Sequence, residues 1–434
     1  MNLHERQIPI ENAAFAYITD DSRIVDGSGA FLRTQLNQKY EQQARERGCV
    51  HFVSPRFLWE HFAPFARIVG ITGTNGKTTT AAAIYSILLD MGYSVALLGT
   101  RGFFINSQQI AHKSLTTPPV FEIFSFLLEA KRQKCDFFIM EVSSHAIAQN
   151  RIEGLEFALK ILTNITSDHL DFHKTTTEYV ATKNAFFSNS VLKLINRDEP
   201  RAAPNPANMR TYGIEEAATY SVAAYSFKDG ISAQIAHSRQ NVSLFSPLFG
   251  RHNLYNLLAA VAAVHLLTNA ELERIVALAE NFGGVKGRME VVHTNPLIIV
   301  DFAHTEDGMR QIFESFLHRN IIVVFGAGGD RDTSKRPKMG AVAEKYARKI
   351  YLTNDNPRSE SPQAILDDIM RGIRDASKCV VEPDRTRAIH LAIAALAPDD
   401  VLLILGKGDE EEQILADRRI ACNDAEIVAD FFKA

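Results

Sequence analysis

The sequence predicts an α/β protein of several domains built on mostly parallel sheets, and three observations carry that prediction. Apolar, strand-length runs alternate with helix-length segments from Arg67 to about Glu290, and the alternation restarts after Met289. Residues 67–80 read as a buried strand, a glycine turn and the start of a helix, the unit from which such sheets are assembled. The chain has 434 residues, more than one hydrophobic core usually supports, so two or three domains are expected.

Taken in order, residues 1–65 are a short polar region. They hold the compact motif Asp20-Asp21-Ser22-Arg23, a charged helical stretch near 38–47 and a strand-like run at 49–53. Alone, this region is too small for a robust core and is expected to lean on its neighbour. Beyond it, 94–99, 136–142 and 159–165 are apolar strand candidates, and 178–187 and 253–267 are helix candidates. Residues 202–249 carry short β-like pieces and many turn residues, which predicts a small antiparallel addition. After Met289, strands are expected at 297–301, 320–325, 349–353, 379–382 and 401–405, the spacing of a second, doubly wound domain. Ligands in such sheets sit beyond the C-terminal strand ends, where the polar motifs fall.

The glycine turn is a phosphate cradle. Gly73, Thr74, Asn75 and Gly76 let backbone N–H groups close on phosphate oxygens, Lys77 supplies a cation, and the Thr78 hydroxyl can reach a magnesium ion, with Thr79 opening the helix. Ile71 stands where the first glycine of the longer G-x-x-x-x-G-K-[ST] pattern belongs, so the shorter G-x-x-G-K-T form is the one present. A glycine turn with a surface lysine is the alternative; the flanking strand and helix favour ATP or GTP. At the end of the 136–142 strand, Glu141 is placed to hold a nucleotide-bound magnesium. The 159–165 strand opens into a dense cluster of Asp168, His169, Asp171 and His173, which reads either as a helix cap and surface loop or as a second metal site.

Net charge is -4 and 46% of residues are hydrophobic, with no basic stripe, which excludes nucleic acid as the main partner. The start lacks the apolar core of a signal peptide and no apolar run reaches the ~20 residues of a spanning helix, so a cytoplasmic location is expected. Cys49, Cys135, Cys379 and Cys422 have no metal or redox spacing and are expected to be reduced.

The motifs occur together in an order that resembles the Mur ligases: residues 73–79, Thr116-Thr117-Pro118, Glu141 to His145, 166–171, 250–256, 287–290, Asp301-Phe302-Ala303-His304, 328–332 and Asp355-Asn356-Pro357-Arg358. The resemblance covers about residues 67–413. It implies three domains: a small N-terminal α/β UDP-binding domain at 1–66, a central P-loop ATP-binding domain at 67–289 and a C-terminal Rossmann-like amino-acid-binding domain at 290–434. It further implies an ATP-dependent ligase that phosphorylates a carboxylate of a UDP-sugar peptide and couples the resulting acyl phosphate to an amine.

On the family pattern, Lys77 acts on the ATP phosphates, Thr78 and Glu141 hold one magnesium, and His169 joins a second. Lys183 matches the family's carbamoylated lysine, an anion made by adding CO2; without the resemblance it would read as an exposed helix lysine. Asn253 and Asn256 are assigned to adenine, Arg288 to the phosphates, and Asp301 and His304 to ribose and base. Ser22, Thr116, Thr117, Ser143 and Arg151 match contacts to the UDP-sugar peptide, UDP-MurNAc-dipeptide.

Arg358 offers a fork that fits a carboxylate, and meso-diaminopimelate, unlike lysine, carries a second carboxylate at its far end. With Arg331, Asp355, Asn356, Gly406 and Glu410 it resembles the amino-acid contacts of the diaminopimelate-adding members. A lysine-adding ligase, a folylpolyglutamate synthetase, and an inactive nucleotide-binding homologue are the alternatives. The departures from the pattern are a short N-terminal region, Lys174 in place of glycine, Phe302 for tyrosine, Glu306 for proline and Asp409 for histidine. A monomer is expected.

Overall fold

The computed structural model describes residues 6–62, 67–112, 115–166, 168–228 and 230–433, with backbone alone at Leu170 and Asp171. The first five residues, the 63–66 stretch at the first expected boundary, Ser167 and the Asp171 side chain lie outside the described residues. Among those described, the strands form sheets of four, eleven and six strands and a two-stranded ribbon.

The eleven-stranded sheet is organised around Arg67–Thr72, whose last five residues are buried. It pairs in parallel with Phe137–Glu141 on one side and Leu159–Leu162 on the other. Val95–Gly99, Lys193–Asn196 and Met209–Gly213 extend the parallel ladder outward. Both faces are covered, which is why these strands read as unbroken apolar runs. On one face Val69 and Ile71 pack with helices Lys77–Asp90 and Arg251–Thr268. On the other, Ile68, Phe138 and Met140 pack with Val120–Arg132 and with Tyr179 of Thr176–Ala185.

The antiparallel addition is there, but it does not stand apart. Tyr220–Ser226 joins Met209–Gly213 in parallel, and Ile231–His237 and Gln240–Ser246 continue the same sheet antiparallel. At the opposite edge a hairpin, Gly102–Ile105 and Gln108–Ala111, turns at Asn106 and Ser107 with φ of 46° and 71°. Only the short run Phe103-Phe104-Ile105 marks that hairpin in the sequence, and no strand is expected there. The N-terminal strands Ile8–Pro9, Tyr17–Thr19, Gly29–Leu32 and His51–Val53 form the small sheet. Its Ile8 and Ile18, with Leu58 and Trp59 of the helix Pro55–Phe62, share one apolar cluster with Phe121 and Phe124 of the central unit, so the expected dependence on a neighbour holds.

The third sheet runs Glu290–Thr294, Leu297–Asp301, Asp400–Leu405, Asn320–Phe325, Ala347–Leu352, Cys379–Val381. All its pairings are parallel except the first. Alternate residues feed two cores, Ile299, Val323 and Leu403 on one face and Ile298, Ile322 and Leu402 on the other, so helices cover both sides as a doubly wound domain requires. Inserting Asp400–Leu405 between two earlier strands brings Gly406 against Asp301, with the Gly406 N–H donating to the Asp301 carbonyl at 3.0 Å. No helix among the described residues is long and apolar enough to cross a membrane.

Candidate active site

The glycine turn and the motif after Leu159–Leu162 are clamped together. Asn164 receives the Asn75 N–H on Oδ1 at 2.9 Å and donates Nδ2 to the Asn75 carbonyl at 3.1 Å, and Thr163 donates to that carbonyl at 2.6 Å. Thr74 Oγ1 shares a hydrogen bond with the Tyr179 hydroxyl at 2.9 Å and accepts from the Thr166 N–H at 2.9 Å. Lys77 Nζ donates to the carbonyls of Gly73 and Thr74 at 2.8 and 3.0 Å, at the positive end of helix Lys77–Asp90. Burial pushes its ammonium pKa down, opposed by Glu141 and Asp168.

Thr78 and Glu141, predicted as partners, meet directly: Thr78 donates to Glu141 Oε2 at 2.8 Å. Thr100, which the sequence does not single out, donates to the same carboxylate through N–H (2.8 Å) and hydroxyl (3.1 Å). Two oxygens of a buried strand-end carboxylate and a helix-start hydroxyl suit magnesium, a hard ion that takes few protein ligands and keeps water for the rest. Among the described residues no group of three His, Cys, Asp or Glu side chains is placed to hold a metal ion.

Asn253 and Asn256 are buried behind the loop. Asn256 accepts from Thr80 at 3.2 Å and donates to Asn253 Oδ1 at 3.2 Å, and Asn253 donates to the Phe249 carbonyl at 2.9 Å. Gly76 sits at φ 83°, and a Cβ there would come within 2.3 Å of Asn256 Oδ1. Gly76→Ala is therefore expected to cost about 1–3 kcal/mol from the left-handed backbone and the clash together, read as a lower Tm and a raised KM for ATP.

Opposite the loop stand residues of the third sheet. Asp301 accepts from the N–H groups of Met289 (2.7 Å) and Ala303 (2.6 Å), and burial pushes its pKa up. Arg288 lies over the Phe302 ring at 4.4 Å, so the phenylalanine in place of tyrosine keeps a cation contact. His304 Nδ1 lies 2.9 Å from the Phe302 carbonyl, and burial lowers its pKa. With Lys77, Thr78, Glu141, Asn253 and Asn256 these residues line a cavity of about 340 Å³.

A second cavity, about 720 Å³, adjoins it, and Asp168, His169, His304 and Glu410 line both. His169 is at φ 54°, with Nε2 3.4 Å from Asp168 Oδ2 and its ring edge-on to His145 at 4.7 Å. Burial would raise the Asp168 pKa, but the positive ends of His169, His304 and Lys335 outweigh it and hold it low. Asp168, a member of the polar cluster singled out in the sequence, thus belongs to the cleft, and so does Lys335, which the sequence does not single out. Lys183 is 1% exposed, and its Nζ lies over the Tyr179 ring at 4.8 Å. Burial, with Lys77 nearby, lowers its pKa well below the ordinary value.

The far wall of this cavity holds the predicted amino-acid contacts. Arg358, at φ 52°, donates to the Gly329 carbonyl at 2.7 Å, and Arg331 to the Asp330 carbonyl at 3.1 Å. Asn356 Nδ2 donates to Glu410 Oε2 at 2.8 Å, and a Cβ on Gly406 would lie 2.7 Å from Asp355 Oδ2. Along the central unit, Thr117 donates to the Glu141 carbonyl at 2.9 Å and accepts from the Ser143 N–H at 2.9 Å. Arg151 donates to the Thr117 carbonyl at 2.8 Å, and Thr116 lies 3.2 Å from Thr100. Ser22 is not brought to either cavity; its hydroxyl donates to Gln43 at 2.6 Å within the N-terminal unit.

The remaining departures have local accounts. Lys174 takes φ 60°, where glycine would be at ease. Glu306 opens helix Glu306–Glu314 behind its Thr305 cap and pairs with Arg310. Asp409 lies 3.7 Å from Arg101 of the central unit, which offsets the added negative charge.

The Mur ligase middle domain model matches residues 71–264, and the Mur ligase, glutamate ligase domain model matches 287–408. The chain is 60% identical over 412 residues to a UDP-N-acetylmuramoyl-L-alanyl-D-glutamate--2,6-diaminopimelate ligase from Wolinella succinogenes, covering 95% of each. A protein of the same name from Helicobacter pylori is 51% identical, with 99% of this chain and 98% of the relative covered. Among solved structures, a ligase again of that name matches at TM-score 0.71 and 27% identity over 99% of this chain and 98% of the other. A Mycobacterium tuberculosis folylpolyglutamate synthase complexed with ADP and AMPPCP matches at TM-score 0.65 and 16% identity over 80% and 91%, a likeness of fold alone.

Proposed function

Because the chain belongs to the Mur ligase family, we propose that it joins meso-diaminopimelate to UDP-N-acetylmuramoyl-L-alanyl-D-glutamate at the expense of ATP. It is an amide-forming ligase of peptidoglycan synthesis. The observation that carries the substrate reading is the second cavity, where Arg358, Arg331, Asn356 and Glu410 face the Asp168–His169 edge of the nucleotide side.

A carboxylate is a poor electrophile, and the chemistry answers that difficulty. A carboxylate oxygen of the dipeptide attacks the γ-phosphorus, the bond to ADP breaks, and an acyl phosphate forms. The neutral amine of diaminopimelate then attacks the acyl carbon; phosphate leaves with the C–O electron pair and the amine proton passes to solvent. The chain's part is alignment and charge neutralisation. The loop at 73–79 cradles the phosphates, with Lys77 beside them. Asn253, Asn256, Arg288, Asp301 and His304 surround the rest of the nucleotide.

Thr78 and Glu141 are the pair that would hold a magnesium ion, with His169 and Lys183 at a second. Bound divalent ions neutralise the two anions that must meet. Lys183 joins after its neutral nitrogen attacks CO2 and loses a proton, which turns an amine into a carboxylate-like anion. Thr116, Thr117, Ser143 and Arg151 receive the UDP-sugar peptide, with Ser22 on the N-terminal unit. Asp355 and Gly406 complete the amino-acid pocket with Arg358. The three sheets support dividing the chain into 1–66, 67–289 and 290–434. We assign the reaction to a cytoplasmic monomer.

Incubation with ATP, magnesium, UDP-N-acetylmuramoyl-L-alanyl-D-glutamate and either meso-diaminopimelate or L-lysine tests this reading. ADP release that requires both co-substrates, with diaminopimelate preferred, is expected. Turnover with lysine alone would overturn the substrate assignment. ATP binding without turnover would overturn the ligase reading.

A further inference from the structure

Lys407, on the turn after strand Asp400–Leu405, is 0% exposed and donates in three directions. Its Nζ reaches Asn356 Oδ1 at 3.2 Å, Glu410 Oε2 at 2.9 Å and the Glu412 carbonyl at 2.6 Å. An ammonium has three protons, and all are placed. Asn356 Oδ1 also accepts the Ile414 N–H at 2.9 Å, so both of its lone pairs are occupied and the amide is locked with Nδ2 toward Glu410. A buried cation that served stability alone could use any acceptors. Two of the three here are side chains read as amino-acid contacts.

The same knot fixes the loop that carries Arg358. The Arg358 N–H donates to the Ile414 carbonyl at 3.1 Å, and Gln413 Nε2 donates to the Asp355 carbonyl at 2.6 Å. Residues 355–358 are thereby stapled to strand Glu412–Ile414, whose own carbonyl at Glu412 is held by Lys407. The geometry points to Lys407 as a positioning residue for amino-acid selection. It sets the Asn356 amide and Glu410 carboxylate where they meet the amino end of the incoming amino acid, and does so without touching it. This rests on the reading of the second cavity as the diaminopimelate pocket.

Steady-state kinetics of Lys407→Met, each substrate varied in turn, test the assignment. KM for meso-diaminopimelate is expected to rise about 30-fold, because the partly buried Glu410 carboxylate loses its partner and the two side chains lose their register, while KM for ATP stays within about twofold. Lys407→Gln, which keeps a neutral donor, gives a smaller rise of about tenfold and serves if the Met variant does not fold. In the Lys407→Met/Glu410→Ala variant, KM should be no worse than in Glu410→Ala alone, since the two act as one unit. Effects that multiply, a rise shared by all substrates, or a lower Tm with KM unchanged would each overturn the assignment. If the wild type couples lysine instead, the substrate reading falls, and the same ratios measured with lysine still decide the role of Lys407.

Discussion

Lys183→Ala lowers kcat by about 1,000-fold, the scale of removing one preorganised group from a charge-stabilising site. The side chain is almost wholly buried on helix Thr176–Ala185, and among the described residues its Nζ has the Tyr179 ring beside it and no hydrogen bond. A charged ammonium left that way is costly, and burial together with Lys77 shifts the equilibrium toward the neutral amine. Neutral amine is the form that adds CO2. The wild type should therefore show a carbamate carbon signal by NMR in labelled bicarbonate, absent from the variant. High bicarbonate at raised pH should not restore the variant's turnover. Full activity in Lys183→Ala would refute the carbamate role.

Arg358→Leu raises KM for meso-diaminopimelate about 100-fold and removes the preference over L-lysine, the expected consequence of losing a two-pronged carboxylate contact in a partly desolvated pocket. The guanidinium rests against glycines: it donates to the Gly329 carbonyl, and a Cβ on Gly328 would come within 2.9 Å of Nη1. Its backbone is held in a left-handed conformation that non-glycine residues seldom adopt, a sign that the surroundings over-determine its direction. Arg358→Lys should recover little, since an ammonium cannot fork. Competition between the two amino acids, read as product ratio, gives the measurement. An unchanged ratio would remove Arg358 from recognition.

Much of this architecture was legible in the residues themselves. Leu297–Asp301 and Asn320–Phe325 begin and end where the apolar runs do, because strands buried on both faces leave an unbroken signal. Gly73 to Thr79 and Glu141 were placed by local chemistry at strand ends, and Thr78 and Glu141 do meet. What stayed hidden depends on partners far apart in sequence. Glu290–Thr294 is only partly buried and pairs at an edge, so no periodicity exposes it. Thr100, Lys335 and Lys407 gain their places from the insertion of one strand between others or from facing another unit, and no spacing rule encodes that. Arg101 meeting Asp409 and Asn75 meeting Asp307 at 3.3 Å are of the same kind.

The clamp of residues 163–166 on the glycine turn has a consequence for how nucleotide is received. Because Asn75 and Thr74 are held by Asn164, Thr163, Thr166 and Tyr179, the cradle keeps its shape through its own contacts. Phosphate then substitutes for carbonyl partners of Lys77 instead of freezing a floppy segment, so little chain entropy is lost on capture. Asp168 and His169, which line both cavities, lie a few residues beyond that clamp, so the cradle and the place where the acid is activated are held by one short stretch of chain.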